Sequence, residues 1–479
     1  MVKLFQKLAD FQGGALNRFL NRGKKGDKHT YMKKKSKIGF ISLGCPKNQV
    51  DTEVMLADVV KAGYEITPDD TEADIIIINT CAFIESAKQE AVDNILDEAW
   101  LKKNANLKGI IVTGCLAQRY REQVFEELPE VDAVLGVGSL HHITDAIEAV
   151  ERRRRYSSFD EIADMETASD RVVTTPEYLA YLKIAEGCDN RCTYCAIPNI
   201  RGALHSRPME ELVAEAKEME SLGARELVLI AQDTTVYGKD LYGESRLVEL
   251  IQAITRETAI PWIRVLYCYP DKITDKLVEE FRTNARLVKY IDLPVQHLSD
   301  KILHRMNRRG DSSTIYDAVE RLRTVPGMVI RSTFIVGFPG ETEEDFRLLC
   351  EGAKKLNFDR AGVFAYSREE GTPAYDFEDQ IDEQTKQDRY DILMRELADQ
   401  SRARAERMIG KTVTVLVEGF DAVSENYFGR TYADAYDIDG KVFFSNAIGS
   451  SRFTEGQFVL VKITDCYDDY DLVGEAVNG

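Results

Sequence analysis

Tyr181-Leu-Lys-Ile-Ala-Glu-Gly-Cys188-Asp-Asn-Arg-Cys192-Thr-Tyr-Cys195 is a strand-like run that ends in three closely spaced cysteines. The spacing is C-x3-C-x2-C. Thiolate is the ligand iron–sulfur clusters use, and three thiolates on one loop can hold three irons of a [4Fe–4S] cube. The fourth iron is then open to a substrate or cofactor, unlike that of a fully ligated electron-transfer cluster. A structural zinc site wants four ligands, commonly in cysteine or histidine pairs. No fourth cysteine lies near, and His205 is the only nearby histidine.

Downstream, strand-like and helical stretches alternate. Candidate strands at Glu226–Ala231, Trp262–Tyr267, Val288–Leu293, Met328–Val336 and Ala361–Tyr366 follow Tyr181–Glu186. Helical patterns at Pro208–Leu222, Arg246–Glu257, Lys272–Thr283, Ser313–Arg323 and Glu343–Leu356 fall between and after them. Six such units predict a partial (β/α)6 barrel, and barrels of this type carry their site at the strand C-termini. The three cysteines sit at such an end. Gln232-Asp-Thr-Thr235, Tyr267-Cys-Tyr-Pro270, Pro294-Val-Gln-His297 and Gly337-Phe-Pro-Gly-Glu341 occupy others and are candidate cavity walls.

Upstream, three more apolar runs each end in a cysteine. They are Lys37-Ile-Gly-Phe-Ile-Ser-Leu-Gly-Cys45, Ala73-Asp-Ile-Ile-Ile-Ile-Asn-Thr-Cys81 and Lys108-Gly-Ile-Ile-Val-Thr-Gly-Cys115. Short continuous apolar runs read as strands buried on both faces of a parallel sheet. Helical stretches at Asp51–Ala62 and Ser86–Trp100 connect them, and Val131–Val137 reads as a fourth strand. Parallel strands bring their C-termini to one edge, where ligands bind. Cys45, Cys81 and Cys115 therefore converge as a second three-thiol site. Cys268, Cys350 and Cys466 read as structural.

After a charged helix at Asp382–Arg407, the pattern changes to short β runs at Thr412–Val417, Lys441–Phe444 and Gln457–Ile463, which predict a small β-barrel. From Lys411 onward there are five Lys or Arg against twelve Asp or Glu. Phosphate binding needs cations, so this barrel fits a basic protein better than a nucleic acid. The whole chain of 479 residues carries a net charge of −19, which likewise disfavours phosphate backbones. Residues 1–36 are basic and read as a mobile tail. They show no compact apolar stretch with a cleavage site, so a secretory leader is not expected. No apolar run approaches a membrane span. Nine cysteines without a disulfide-like spacing suit a reducing cytoplasm. The expected architecture is multidomain α/β: a parallel-sheet domain at 37–155, a barrel at 174–408 and a β domain at 409–479.

The triplet, with Tyr194 before its last cysteine, resembles the radical S-adenosylmethionine (SAM) superfamily. In that family the open iron binds SAM, and an electron from the cluster cleaves it to a 5′-deoxyadenosyl radical. From residue 37 to 479 the layout resembles the methylthiotransferase family, which adds a small β domain called TRAM and attaches methylthio groups to unactivated carbon. The resemblance implies two [4Fe–4S] clusters. Cys188, Cys192 and Cys195 would hold the SAM-cleaving one, and Cys45, Cys81 and Cys115 an auxiliary one. SAM would serve as methyl donor and radical source. Tyr194, beside the cluster on the same loop, is the expected contact for the SAM adenine.

One branch of the family modifies an adenosine in tRNA. The other modifies the β-carbon of an aspartate in the small-subunit ribosomal protein uS12. Gly44-Cys-Pro-Lys-Asn48, Cys81-Ala-Phe-Ile-Glu-Ser-Ala-Lys88, Ile184-Ala-Glu-Gly-Cys188, Ala196-Ile-Pro-Asn-Ile-Arg-Gly202, Ile230-Ala-Gln-Asp233 and Tyr366-Ser-Arg-Glu-Glu-Gly-Thr372 are similar to the second branch. The resemblance implies uS12, free or in the small subunit, as the partner, and not tRNA. Cluster potentials span roughly −700 to +450 mV. Reducing SAM needs the low end, so a low-potential electron donor is expected.

Overall fold

A computed structural model describes residues 35–161, 170–446 and 452–477. The basic tail read at 1–36 lies outside the described residues except for its last two. Among the described residues no helix is long and apolar enough to cross a membrane.

The first domain is built on a parallel sheet of six strands in the order β2-β1-β3-β4-β5-β6. They are β1 (Lys37–Ser42), β2 (Glu65–Ile66), β3 (Ile75–Thr80), β4 (Gly109–Gly114), β5 (Ala133–Leu135) and β6 (Tyr156–Ser158). Every residue of β3 and β4 is buried. Successive isoleucines of β3 point to opposite faces. Ile76 and Ile78 join one core, and Ile75 and Ile77 the other. Helices α1 (Pro46–Lys61), α2 (Glu85–Asn104) and α3 (Cys115–Tyr120) follow β1, β3 and β4.

The second domain is an open six-stranded parallel sheet in the order β14-β13-β12-β11-β10-β7. Its strands are β7 (Leu179–Lys183), β10 (Glu226–Ile230), β11 (Trp262–Val265), β12 (Leu287–Asp292), β13 (Val329–Val336) and β14 (Arg360–Ala365). This is the partial barrel that the sequence predicts, with one difference at its first strand. β7 stops at Lys183. A separate two-residue strand, β8 (Ala185–Glu186), pairs antiparallel with β9 (His205–Ser206). That pair closes the base of the cysteine loop. Ala180 and Leu182 face the outer helices, whereas Leu179 and Tyr181 face the barrel interior.

A 24-residue helix, Glu383–Glu406, leads to the third domain, its first turn capped by the Asp382 carboxylate accepting from Thr385 N–H. That domain is a closed barrel of β15 (Thr412–Asp421), β16 (Asn426–Arg430), β17 (Val442–Ser445), β19 (Asp471–Ala476) and β18 (Phe458–Tyr467), in that order. Residues 431–439, within the connection between β16 and β17, enter the interior of the second domain. Tyr290 donates to Asp439 at 2.7 Å, and the Arg264 guanidinium donates to the Tyr432 carbonyl at 3.0 Å. Arg430 reaches Glu226 at 2.7 Å, and Arg264 reaches the same carboxylate at 2.6 Å. All three of these charged groups are buried.

Candidate active site

β1, β3 and β4 are neighbours in register, with Ser42 opposite Asn79 and Thr80 opposite Gly114. Their C-terminal ends therefore place Cys45, Cys81 and Cys115 together. Two glycines permit the close approach. Gly44 and Gly114 hold φ of +87° and +90°, where L residues are strained. A methyl group at Gly44 would stand 2.7 Å from Cys81 Cβ, and one at Gly114 would stand 2.2 Å from Asn79 Oδ1. Cys45 occupies the N-cap of α1, whose end carries partial positive charge. One turn on, Asn48 donates to the carbonyls of Leu43 at 3.0 Å and Thr80 at 2.8 Å, tying two cysteine loops together. Its Oδ1 faces the Cys115 thiol at 3.7 Å. Burial, and then the neighbouring Cys115 and Cys45, push the Cys81 thiol up to about 12.

The second triplet lies on one loop. Gly187 has φ of +71°, and a methyl group there would stand 1.9 Å from the Ala203 carbonyl oxygen. Cys188 N–H donates to Gly202 O at 3.0 Å, and Thr193 N–H donates to Met306 O at 3.0 Å. Cys188 Sγ accepts from Asn190 Nδ2 at 3.5 Å, and the Asp233 carboxylate holds that amide at 2.8 Å. Cys192 Sγ lies 3.9 Å from the Tyr269 hydroxyl and 3.9 Å from Arg308 Nη1. Burial pushes Cys188 up to about 11 and, with Cys192 adding, Cys195 up to about 12. Tyr194 packs against the apolar group of Ile302, Met306, Phe338, Tyr366 and Ala374. Burial, then the adjacent Cys192, raise its phenol well above the ordinary range.

Both donor sets fit a cluster better than a lone ion. Burial disfavours ionisation of Cys81, Cys115 and Cys188 unless a cation takes up their charge, and metal binding deprotonates thiols. A single tetrahedral zinc lies about 2.3 Å from each sulfur, which keeps its ligands within about 4 Å of one another. Among the described residues, the one set of three ligand atoms all within 4.8 Å is His141, His142 and Asp160. Neither cysteine triplet is drawn so close, as suits ligands on separate irons.

Residues 37–136 match an uncharacterized protein family (UPF0004), residues 182–351 the radical SAM superfamily, and residues 409–477 the TRAM domain. The chain is 48% identical over 93% of its length to the ribosomal protein uS12 methylthiotransferase RimO of Acetivibrio thermocellus, covering 99% of that protein. It is 48% identical, again over 93% of its length, to the RimO of Geobacter sulfurreducens, covering 99% of it. The chain belongs to the RimO family of radical SAM methylthiotransferases. The methyltransferase TsrM of Kitasatospora setae shares the fold at a TM-score of 0.52, with 14% identity, over 72% of this chain and 77% of that one. As a radical SAM enzyme the methylthiotransferase uses an iron–sulfur cluster and SAM.

Two ion clusters weld its first two domains, and the sequence reading singled out neither. On one side Arg201, a few residues past Cys195, crosses to the first domain. It donates to Asn48 Oδ1 at 2.5 Å and pairs with Asp51 at 3.0 Å and Glu186 at 2.8 Å. The same Asn48 oxygen faces the Cys115 thiol, and the Arg201 charge acts against the rise that burial imposes on that thiol. Lys183 bridges the same two carboxylates. Burial alone would raise Glu186, but Arg201 and Lys183 outweigh it and hold the carboxyl well below its ordinary range. On the other side Glu369, 1% exposed, takes Arg119 at 2.6 Å and Lys88 at 3.2 Å. Arg119 also donates to the carbonyl of Ala82, next to Cys81, at 3.0 Å. The signal for both clusters was present only as polar and charged residues within quoted motifs, Asn48, Arg201 and Glu369 among them. A cavity of about 340 Å³ beside α1 is lined by Asp51, Lys183, Glu186 and Arg207 and by none of the six cysteines. The chemistry of the donor sets, not cavity size, therefore locates the site.

Proposed function

We propose that the chain adds a methylthio group to the β-carbon of an aspartate in uS12, using two [4Fe–4S] clusters. Cys188, Cys192 and Cys195 would hold the SAM-cleaving cluster, and Cys45, Cys81 and Cys115 the auxiliary one. Bound clusters supply one-electron reduction of SAM and a sulfur-bearing partner for the substrate radical. The observation that carries the reading is that the two triplets face a shared boundary, with Arg201 reaching from beside the loop of one to Asn48, whose side-chain oxygen faces Cys115 of the other.

The protein's own groups do the rest. Asn190, Tyr269 and Arg308 orient the SAM-side sulfurs. Asn48 and Arg201 fix the auxiliary set. The two ion clusters exclude water from the seam, which a reactive radical requires. Tyr194, on the same loop as Cys192, would contact the SAM adenine. Among the described residues of the carboxy-terminal barrel, Asp465 and Asp468 lie beside the exposed Tyr467 and suit a basic partner. The charge balance argues against tRNA. The substrate and a low-potential electron donor place the work in the cytoplasm, and the functional units are 37–155, 174–408 and 409–479.

Anaerobic reconstitution should give about eight irons per chain, two cubes' worth. Mass spectrometry after incubation with SAM, a reductant and either uS12 or tRNA should find the methylthio group on uS12 alone. Full turnover with about four irons would overturn the two-cluster reading, and a modified tRNA would overturn the substrate.

A further inference from the structure

Lys47 belongs to a motif that the reading above leaves without a role. It lies two residues past Cys45, in the first turn of α1, and is 7% exposed. Its side chain leaves its own domain and reaches the mouth of the barrel. Nζ sits 3.5 Å from the centre of the Tyr267 ring and donates to the Ala231 carbonyl at 3.3 Å. Ala231 and Tyr267 lie just beyond the C-terminal ends of β10 and β11. Tyr267 holds φ of +62°, an uncommon conformation for an aromatic residue and one that clusters at functional sites. Its N–H is fixed by the Asp292 carboxylate at 3.0 Å.

A buried charge is normally paired. Arg201 and Lys183 share Asp51 and Glu186. Among the described residues, no carboxylate lies within 4.0 Å of Lys47 Nζ, which therefore forms no ion pair. An ammonium has three donors. One carbonyl and one ring face leave Lys47 with capacity for an incoming anion. Arg308, a further cation near the cysteines, is turned to Cys192 and to the Pro294 carbonyl at 2.6 Å, on the SAM side.

We infer that Lys47 binds the side-chain carboxylate of the aspartate to be modified, which rests on the uS12 reading above. The reacting β-carbon is directly bonded to that carboxylate. Anchoring it beside Cys45 sets the carbon next to the auxiliary site, within the gap between the two triplets. An adenine base offers no carboxylate beside its reacting carbon, so the same contact would not hold that base in place. Lys47 is thus a specificity-determining residue.

The test uses cluster-loaded enzyme with SAM and a fluorescent uS12-derived peptide carrying aspartate or asparagine at the target position, read by anisotropy. The wild type should bind the aspartate peptide about tenfold tighter, the worth of one charge-assisted contact. Lys47→Met should bring the two affinities within about twofold of each other, with iron content and cluster spectra unchanged, and Lys47→Arg should keep most of the preference. Lys47→Gln is measured in parallel, so that poor cluster loading in one variant does not end the experiment. A loaded Lys47→Met or Lys47→Gln enzyme that keeps the tenfold preference overturns the inference. So does a wild type that methylthiolates the peptide but binds both forms equally. A wild type that leaves the aspartate peptide unmodified and acts on tRNA instead sinks the uS12 reading, and the Lys47 role with it.

Discussion

The two cysteine triplets reach similar chemistry by opposite routes. Cys188, Cys192 and Cys195 share one loop, closed at its base by β8 and β9 and pinned by Cys188 N–H to Gly202 O. Cys45, Cys81 and Cys115 lie on three loops and meet because β1, β3 and β4 pair in parallel. The loop site is a local structure. The sheet site exists only when the sheet does, so its metal affinity is linked to the stability of that sheet. What the two share is a glycine with positive φ directly before a cysteine, at Gly44, Gly114 and Gly187.

The largest expected effect separates the sites outright. Cys188→Ala should lower 5′-deoxyadenosine formation by about three orders of magnitude, to background, measured by chromatography of SAM turnover. Cys115→Ala should leave that cleavage within a few-fold of wild type while methylthiolation of uS12 stops and bound iron falls by about half. Equal loss of cleavage in both variants would mean that the sites are not independent.

Next is the bridge between them. Arg201→Met leaves the buried carboxylates of Asp51 and Glu186 with Lys183 as their one paired cation. Breaking a buried ion network in this way costs about 3–5 kcal/mol, to be read from urea unfolding of the loaded enzyme. The glycines then test the local-versus-sheet distinction. Gly114→Ala should cost about 1–3 kcal/mol through strain and overlap and drain iron from the sheet site only. Gly187→Ala should do the reverse, and iron analysis with electron paramagnetic resonance tells the two apart.

The smallest effect belongs to the second clamp. Glu369→Gln removes the charge that holds Arg119 and Lys88 and should cost about 1–2 kcal/mol. Burial would raise the Glu369 carboxyl, but Ser367, Arg119 and Lys88 hold it below its ordinary 4.5. Its contribution is therefore present above that value and lost as pH falls through the lower, folded-state value. The stability gap between wild type and Glu369→Gln should stay flat from about pH 8 to pH 5 and narrow only in more acidic solution.

The sequence was legible wherever information was local or periodic. The loop triplet announced itself by spacing. β3, as Ile-Ile-Ile-Ile-Asn-Thr, and its two neighbours announced a doubly buried sheet. The barrel strands fell within a few residues of their expected bounds. The edge strands β2 and β6 escaped notice because two or three residues carry no period. β16 and β19 were missed in the third domain, where Gly429 and Gly474 interrupt the apolar pattern. The domain seams were not legible at all. Arg201, Glu369, Arg264 and Arg430 look like ordinary surface charge until folding buries each against a partner far along the chain.

Residues 431–439 carry a consequence for biogenesis. They plug the interior of a barrel whose own strands were completed some seventy residues earlier, at β14. Glu226, near the beginning of that barrel, receives Arg430, 204 residues further along the chain. A nascent polypeptide still threaded through the ribosomal exit tunnel therefore holds Glu226 without its second guanidinium. Complete maturation must wait until residues 431–439 have left the tunnel, and an enzyme truncated before residue 409 would leave that barrel hollow as well as lacking its β domain.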